Sequence, residues 1–146
     1  MATADTLNQL LECELSALET YQRAFKKLKE AAGIDELYAI EEEHWGSANL
    51  LRQRIRKLGA SPVATSGVWG AWPLGVEGTS RVVGEVADLE ALKQEEAHSL
   101  RMYREVLTTA SLDAESKEMI ADVLLPRSER HLSMVEGIEK RCVASY

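Results

Sequence analysis

The sequence contains little proline and little glycine, and this scarcity is its first structural signal. Of 146 residues only 3 are proline and 9 are glycine, so few positions interrupt regular backbone structure. Alanine, leucine, glutamate, lysine and arginine dominate the long stretches between them, and these residues favour helices. The length suits one domain with a single core. We therefore expect an all-α protein in which residues 1–146 form one domain.

Long apolar runs and an excess of positive charge are also missing. No stretch approaches the ~20 apolar residues of a membrane span, and the net charge of −7 argues against a nucleic-acid-binding surface, which would be basic. The polar N-terminus lacks the apolar core of a signal peptide, so we expect a cytoplasmic protein. The two cysteines, Cys13 and Cys142, are then expected to be reduced thiols rather than a disulfide.

Apolar residues recur three and four positions apart over four stretches, which predicts four amphipathic helices. These helices span residues 5–32, 35–58, 80–110 and 113–142, with Asp113 as the expected N-cap of the fourth. Residues 59–79 contain prolines and several glycines and are predicted to form a loop. A loop of this length favours a crossover that runs back along the bundle. The sequence thus predicts a four-helix bundle with a long crossover between helices 2 and 3, which become parallel.

Charged and polar side chains interrupt the apolar faces of the predicted helices. Glu41 and His44 form a Glu-x-x-His on the second helix and, being three residues apart, point the same way. Other polar residues lie within the apolar stripes of the remaining helices: Glu14, Glu96, Arg127 and His131. Burying such groups unpaired would cost several kcal/mol. We therefore expect them to meet in the core.

Two further patterns need an interpretation. Glu95 and His98 form a second Glu-x-x-His, but His98 falls about 170° from the centre of its helix's stripe, so we expect this pair to face solvent. Tyr21 and Tyr103 lie within apolar stripes. We expect them to be core aromatics whose hydroxyls bond a buried carboxylate, with a redox role as the alternative.

Residues 7–21 read LNQLLECELSALETY and resemble the bacterioferritin opening L-N-x-L-L-x-x-E-L-x-A-x-x-x-Y. The second half, with Glu90 to Tyr103 and the run LLPR at residues 124–127, resembles more an uncharacterised bacterial ferritin-like family classed only as a domain of unknown function. The resemblance implies a ferritin-like bundle. In the related carboxylate di-metal bundles, two helices give one Glu each and two give Glu-x-x-His. It therefore implies iron or manganese held by Glu14, Glu41, His44, Glu96 and His131.

Departures from that pattern leave two interpretations open. Ser128 stands where the final Glu-x-x-His requires a glutamate, and Arg127 beside it faces inward, close to where a second ion would sit. Glu14 faces the core but is predicted to lie about 7–10 Å off the level of the other ligands. One interpretation is a metal ion held by this ligand set. The other is a metal-free ion network in which Arg127 neutralises Glu41 and Glu96.

The two interpretations predict two functions. A bundle with iron or manganese would act in metal handling or oxidant detoxification. A metal-free bundle would be a structural or interaction protein with a stress-related role and no cofactor. In either case we expect a homo-oligomer, most simply a dimer, because bundles commonly bury a second face. The expected partners include neither nucleic acid nor membrane, and no catalytic residue is predicted.

Overall fold

The computed structural model describes residues 2–28, 33–67, 81–109 and 111–145, and all regular structure in these ranges is helical. Helix α1 spans Thr3–Phe25, α2 spans Ile34–Lys57 and α3 spans Arg81–Thr109. The fourth helix has two α-helical segments, α4 (Ala114–Met119) and α5 (Leu125–Ala144), joined by the π-helical turn Ile120–Leu124. The prediction of an all-α protein is confirmed.

A glycine and a capping aspartate determine two of the helix starts. Gly33 precedes α2 with a φ of +84°, and a Cβ at this position would lie 2.9 Å from Cγ1 of Ile138. Asp113 precedes α4 and accepts a hydrogen bond from the backbone N–H of Ser116 at 3.1 Å, as expected of an N-cap. Asp113 also pairs with Arg54. This ion pair ties the end of α2 to the start of α4.

Two apolar clusters fill the core and show how the helices run. The first joins the N-terminal part of α1 to the C-terminal parts of α2 and α3 and to the π turn, and its members include Leu11, Leu51, Val106 and Leu124. The second joins the end of α1 to the starts of α2 and α3 and to α5, and its members include Leu28, Leu37, Leu89 and Ile138. Helices α1 and α5 therefore run in one direction, and α2 and α3 run in the other.

Pro126 accounts for the π turn that precedes it. Proline has no amide hydrogen to donate, and its ring crowds the carbonyl group four residues earlier. That carbonyl belongs to Asp122, within the turn Ile120–Leu124, and the wider π geometry relieves the crowding. A π turn accommodates about one extra residue, so positions after it are rotated by about 100° relative to a continuous α-helix. The turn therefore decides which residues of α5 face inward.

The first part of the predicted crossover, residues 59–67, lies against α1. The side chain of Asn8 accepts a hydrogen bond from the backbone N–H of Val63 at 2.8 Å. Farther along α1, the Ser66 hydroxyl donates to Glu19 at 2.9 Å. The chain thus advances along α1, from the end of the bundle where α2 finishes towards the opposite end, where α3 begins.

Several predicted features lie outside the described residues, namely the rest of the crossover (68–79) and the predicted last turn of helix 1 (29–32). None of the described helices has the length and apolar character needed to span a bilayer. Cys13 and Cys142 are both buried, free thiols. The prediction that they form no disulfide is therefore confirmed.

Candidate metal centre

His44 lies at the centre of the bundle, between the two apolar clusters, and both of its ring nitrogens face carboxylates. Nδ1 lies 2.6 Å from Oε2 of Glu14, and Nε2 lies 2.6 Å from Oε1 of Glu96. All three residues are buried. Burial alone would lower the pKa of His44, but the negative charges of Glu96 and Glu14 outweigh it and raise this pKa well above its ordinary range. The arrangement therefore favours an imidazolium between two carboxylates.

Two buried tyrosines hold the carboxylates from either side. Tyr103 donates a hydrogen bond to Oε1 of Glu14, and Tyr21 donates to Oε1 of Glu96 at 2.8 Å. Burial, together with the nearby carboxylates, raises the pKa of both phenols well above 10, so both hydroxyls remain protonated donors. This confirms the prediction that they are core aromatics bonded to a buried carboxylate.

His131 of α5 approaches the same cluster from the other side of Glu96. Its Nδ1 lies 3.7 Å from Oε2 of Glu96, which is too far for a hydrogen bond. Both atoms are buried, and neither finds a hydrogen-bond partner among the described residues. Such orphaned buried atoms are uncommon and call for an explanation. A bound cation between them is one such explanation.

The donor set fits a transition-metal ion. His44, Glu96 and His131 each offer one ligand atom, and these atoms lie within 4.8 Å of one another. Ligand atoms around one ion, at bond lengths of about 2.0–2.2 Å, stand about 3–4 Å apart, so a small contraction would suffice. Imidazole and carboxylate ligands suit iron, manganese and zinc. Binding would require His44 to release a proton, because a metal ligand must present a lone pair.

Glu43 connects the buried cluster to the surface. Its Oε1 lies 2.7 Å from Nε2 of His131, and both its oxygens accept hydrogen bonds from Arg130, at 2.7 and 2.8 Å. Burial tends to raise the pKa of Glu43, but the hydrogen bonds with Arg130 and His131 prevail and lower it. Glu43 is therefore an ionised carboxylate between an exposed arginine and a buried histidine.

The structure brings together four of the five predicted ligands. Glu14 reaches His44, because it lies eleven residues after the start of α1 and His44 lies thirteen before the end of α2. At 1.5 Å per residue their heights differ by only about 3 Å. Glu41 has no hydrogen bond or ion pair with the cluster among the described residues and is half-buried. The carboxylate of α2 that contacts a cluster histidine across the bundle is Glu43 instead.

Arg127 does not enter the cluster as the metal-free interpretation required. Its guanidinium donates to the Ser47 hydroxyl at 3.1 Å and to the backbone carbonyl of Glu43 at 3.5 Å. Neither Glu41 nor Glu96 contacts it among the described hydrogen bonds and ion pairs. The cation beside Glu96 is His44.

The prediction that Glu95 faces solvent is wrong. Glu95 is fully buried and accepts a hydrogen bond from the Ser16 hydroxyl of α1 at 3.1 Å. His98 is half-buried, with Nε2 at 3.9 Å from the Cys13 sulfur. Helix α3 packs against both α1 and α5, so its buried face is wider than a single apolar stripe.

Two parts of the site were not predicted from the sequence. The first is the pair of hydrogen bonds that each tyrosine donates to the glutamate of the other helix. A sequence pattern could have indicated it, because Glu14 and Tyr21 are seven residues apart and so are Glu96 and Tyr103. Helices α1 and α3 thus supply equivalent Glu-x₆-Tyr units. The second is the contact of Glu43 with His131, which no sequence pattern indicates, since it depends on how α2 and α5 pack together.

Taken together, the fold and site define an all-α bundle with a carboxylate–histidine cluster buried between two apolar clusters. Residues 2–109 match the family described as "Domain of unknown function (DUF2383)". The match covers well over half of the chain, so the protein belongs to this family. The matched range includes Glu14, His44 and Glu96 and ends before His131. No curated protein and no solved structure matches the chain.

Proposed function

We propose that this protein is a ferritin-like bundle that binds one divalent transition-metal ion, iron or manganese, in its core. The helix directions support the ferritin-like arrangement, because parallel second and third helices require a long crossover between them. The sequence of α1 supports it as well, through its resemblance to bacterioferritin. The proposed ligands are His44, Glu96 and His131, and Glu14 is the hydrogen-bond partner that orients His44.

The observation that carries this proposal is the pair of facing atoms in the core. Oε2 of Glu96 and Nδ1 of His131 lie 3.7 Å apart and lack hydrogen-bond partners among the described residues. Leaving a buried polar atom unpaired costs about 1–3 kcal/mol. A cation bound by both atoms would remove that cost. The adjacent His44 would complete its ligand set through Nε2, while Glu14 holds the opposite ring nitrogen, Nδ1.

The inward residues support one ion rather than two. A di-metal centre of this class draws on two Glu-x-x-His motifs. Here Ser128 replaces the glutamate of one motif, and Glu41 of the other has no hydrogen bond or ion pair with the cluster among the described residues. When bound, a redox-active ion would supply reactivity towards O₂ or peroxide. Metal handling or oxidant detoxification is accordingly the proposed role, in a cytoplasmic homodimer.

A second candidate function needs no metal. The observation that favours it is the ion triad of Glu14, His44 and Glu96, in which both histidine nitrogens already have carboxylate partners at 2.6 Å. Such a triad satisfies buried charges by itself. The bundle would then act as a structural or interaction protein, with His44 rather than Arg127 as its buried cation.

Metal content separates the two functions. We would purify the protein from cells supplemented with iron and manganese, and measure bound metal before and after reconstitution. About one ion per chain is expected for the native protein, and a loss of at least tenfold in affinity for His131→Gln. His98→Gln is the matched control, because His98 lies outside the cluster, and should keep full occupancy. Metal well below one per chain in every preparation would reject metal binding and favour the ion network.

A further inference from the structure

The proposed metal ligands are closed off from solvent. His44, Glu96 and His131 are each 2% exposed or less, and Glu14, which holds His44, is 3% exposed. The two apolar clusters close the bundle above and below them, and the rings of Tyr21 and Tyr103 belong to those clusters. An ion that reaches this site must therefore pass between two helices, and the question is which pair.

The boundary between α2 and α5 differs from the other helix boundaries. Among the described residues, the backbones of α2 and α5 pack less closely than those of α1 and α2 or of α3 and α5. Polar side chains occupy the boundary, and we call them the α2–α5 seam: Glu43, Ser47, Arg127, Arg130 and His131. A sparsely packed polar boundary can open for a hydrated ion at lower cost than an apolar one.

Glu43 is the carboxylate of this seam that touches both solvent and a ligand. Its side chain is 38% exposed, and its Oε1 contacts His131, whose side chain is 2% exposed. Arg130, which is 52% exposed, donates to both Glu43 oxygens. A divalent cation arriving from water would compete with Arg130 for the same two oxygens. Arg127 adds a second positive charge beside the Glu43 backbone.

From this arrangement we infer that a divalent metal ion enters the core through the α2–α5 seam, with Glu43 as its first ligand and Arg130 as the restraint on entry. This inference rests on the proposed function. The ion displaces the Arg130 guanidinium from Glu43, loses part of its water shell to that carboxylate, and passes on to His131 and Glu96. Glu43 is thus a transfer residue and not part of the final ligand set. Removing it should change the rates of uptake and release much more than the affinity.

Stopped-flow uptake of Co²⁺, followed by its visible absorption, tests the inference together with equilibrium dialysis. Glu43→Gln should slow both uptake and release at least tenfold while the Kd changes less than threefold. Arg130→Gln should accelerate uptake several-fold. Arg130 is exposed, so its variant is expected to fold even if Glu43→Gln does not. Glu42→Gln, exposed on the same helix, is the control and should match the native protein.

The outcomes distinguish this inference from the proposed function. If the native protein binds no Co²⁺ at equilibrium, metal binding itself fails and the inference fails with it. If it binds Co²⁺ but the Glu43→Gln and Glu42→Gln variants take it up equally fast, only the entry route is refuted. A third outcome would also overturn the inference. If Glu43→Gln takes up Co²⁺ more slowly but releases it at the native rate, its Kd rises in proportion, and Glu43 is then a ligand of the bound ion.

Discussion

Replacing Glu95 with glutamine should remove a large part of the pH dependence of this protein's stability. Glu95 is fully buried between α1 and α3, with the Ser16 hydroxyl as the donor to its Oε2. Its Oε1 has no hydrogen-bond partner among the described residues. A carboxylate held in this way is poorly solvated, so the folded protein favours the neutral acid. Glutamine has nearly the same shape and cannot ionise.

The size of the effect follows from the pKa of Glu95. Burial, which outweighs the Ser16 hydrogen bond, raises this pKa from 4.5 to about 8. Between these two values the folded protein keeps a proton that the unfolded chain releases, so the free energy of unfolding falls as pH rises and levels off above pH 8. One pH unit corresponds to about 1.4 kcal/mol. Allowing for local relaxation, we expect Glu95 to contribute a loss of about 2–4 kcal/mol between pH 5 and pH 8.

Urea unfolding at pH 5 and pH 8.5, followed by far-ultraviolet circular dichroism with a chelator present, measures this contribution. The native protein should lose about 2–4 kcal/mol more than Glu95→Gln over this interval. If the glutamine side chain lowers the free energy of unfolding by the same amount at both pH values, this effect cancels, because only the change in that free energy between the two pH values is compared. The exposed Glu42→Gln variant should follow the native protein. If native and Glu95→Gln proteins have the same pH dependence within about 0.5 kcal/mol, the assignment of Glu95 as a buried neutral acid is wrong.

Two other substitutions test the helix packing and the ligand count. Gly33→Ala should destabilise the protein by more than the ~1 kcal/mol expected for a left-handed residue alone, because the added Cβ would also clash with an isoleucine of α5. Gly59→Ala is the control, since Gly59 has a φ of +80° but open space around it. Comparing the two variants by urea unfolding separates the cost of the clash from the cost of the left-handed backbone. Ser128→Glu, three residues before His131, adds a carboxylate beside the ligand set and should tighten Co²⁺ binding several-fold in dialysis, whereas Ser133→Glu, exposed on the same helix, should leave the Kd unchanged. Equal losses for the two glycine variants, or an unchanged Kd in Ser128→Glu, would contradict these expectations.

The helical periodicity was enough to predict which elements form and which four polar residues lie at the centre of the core. The rotation per residue in an α-helix is constant, so a carboxylate or imidazole in the middle of an apolar stripe must face the core. This reasoning found Glu14, His44, Glu96 and His131, all of which are buried. It misplaced Glu95, because a helix packed on two neighbours buries more than one stripe.

The sequence by itself thus determined that helices would carry acids and histidines into an apolar core. Only the tertiary structure decided which of them meet. The antiparallel packing of α1 and α2 places Glu14 and His44 within about 3 Å of the same height, so that they meet. The docking of α2 against α5 gives Glu43 rather than Glu41 the contact with His131, and it places Arg127 against Ser47 of α2. Such contacts depend on how whole helix faces pack together, and no periodicity within a single helix encodes them.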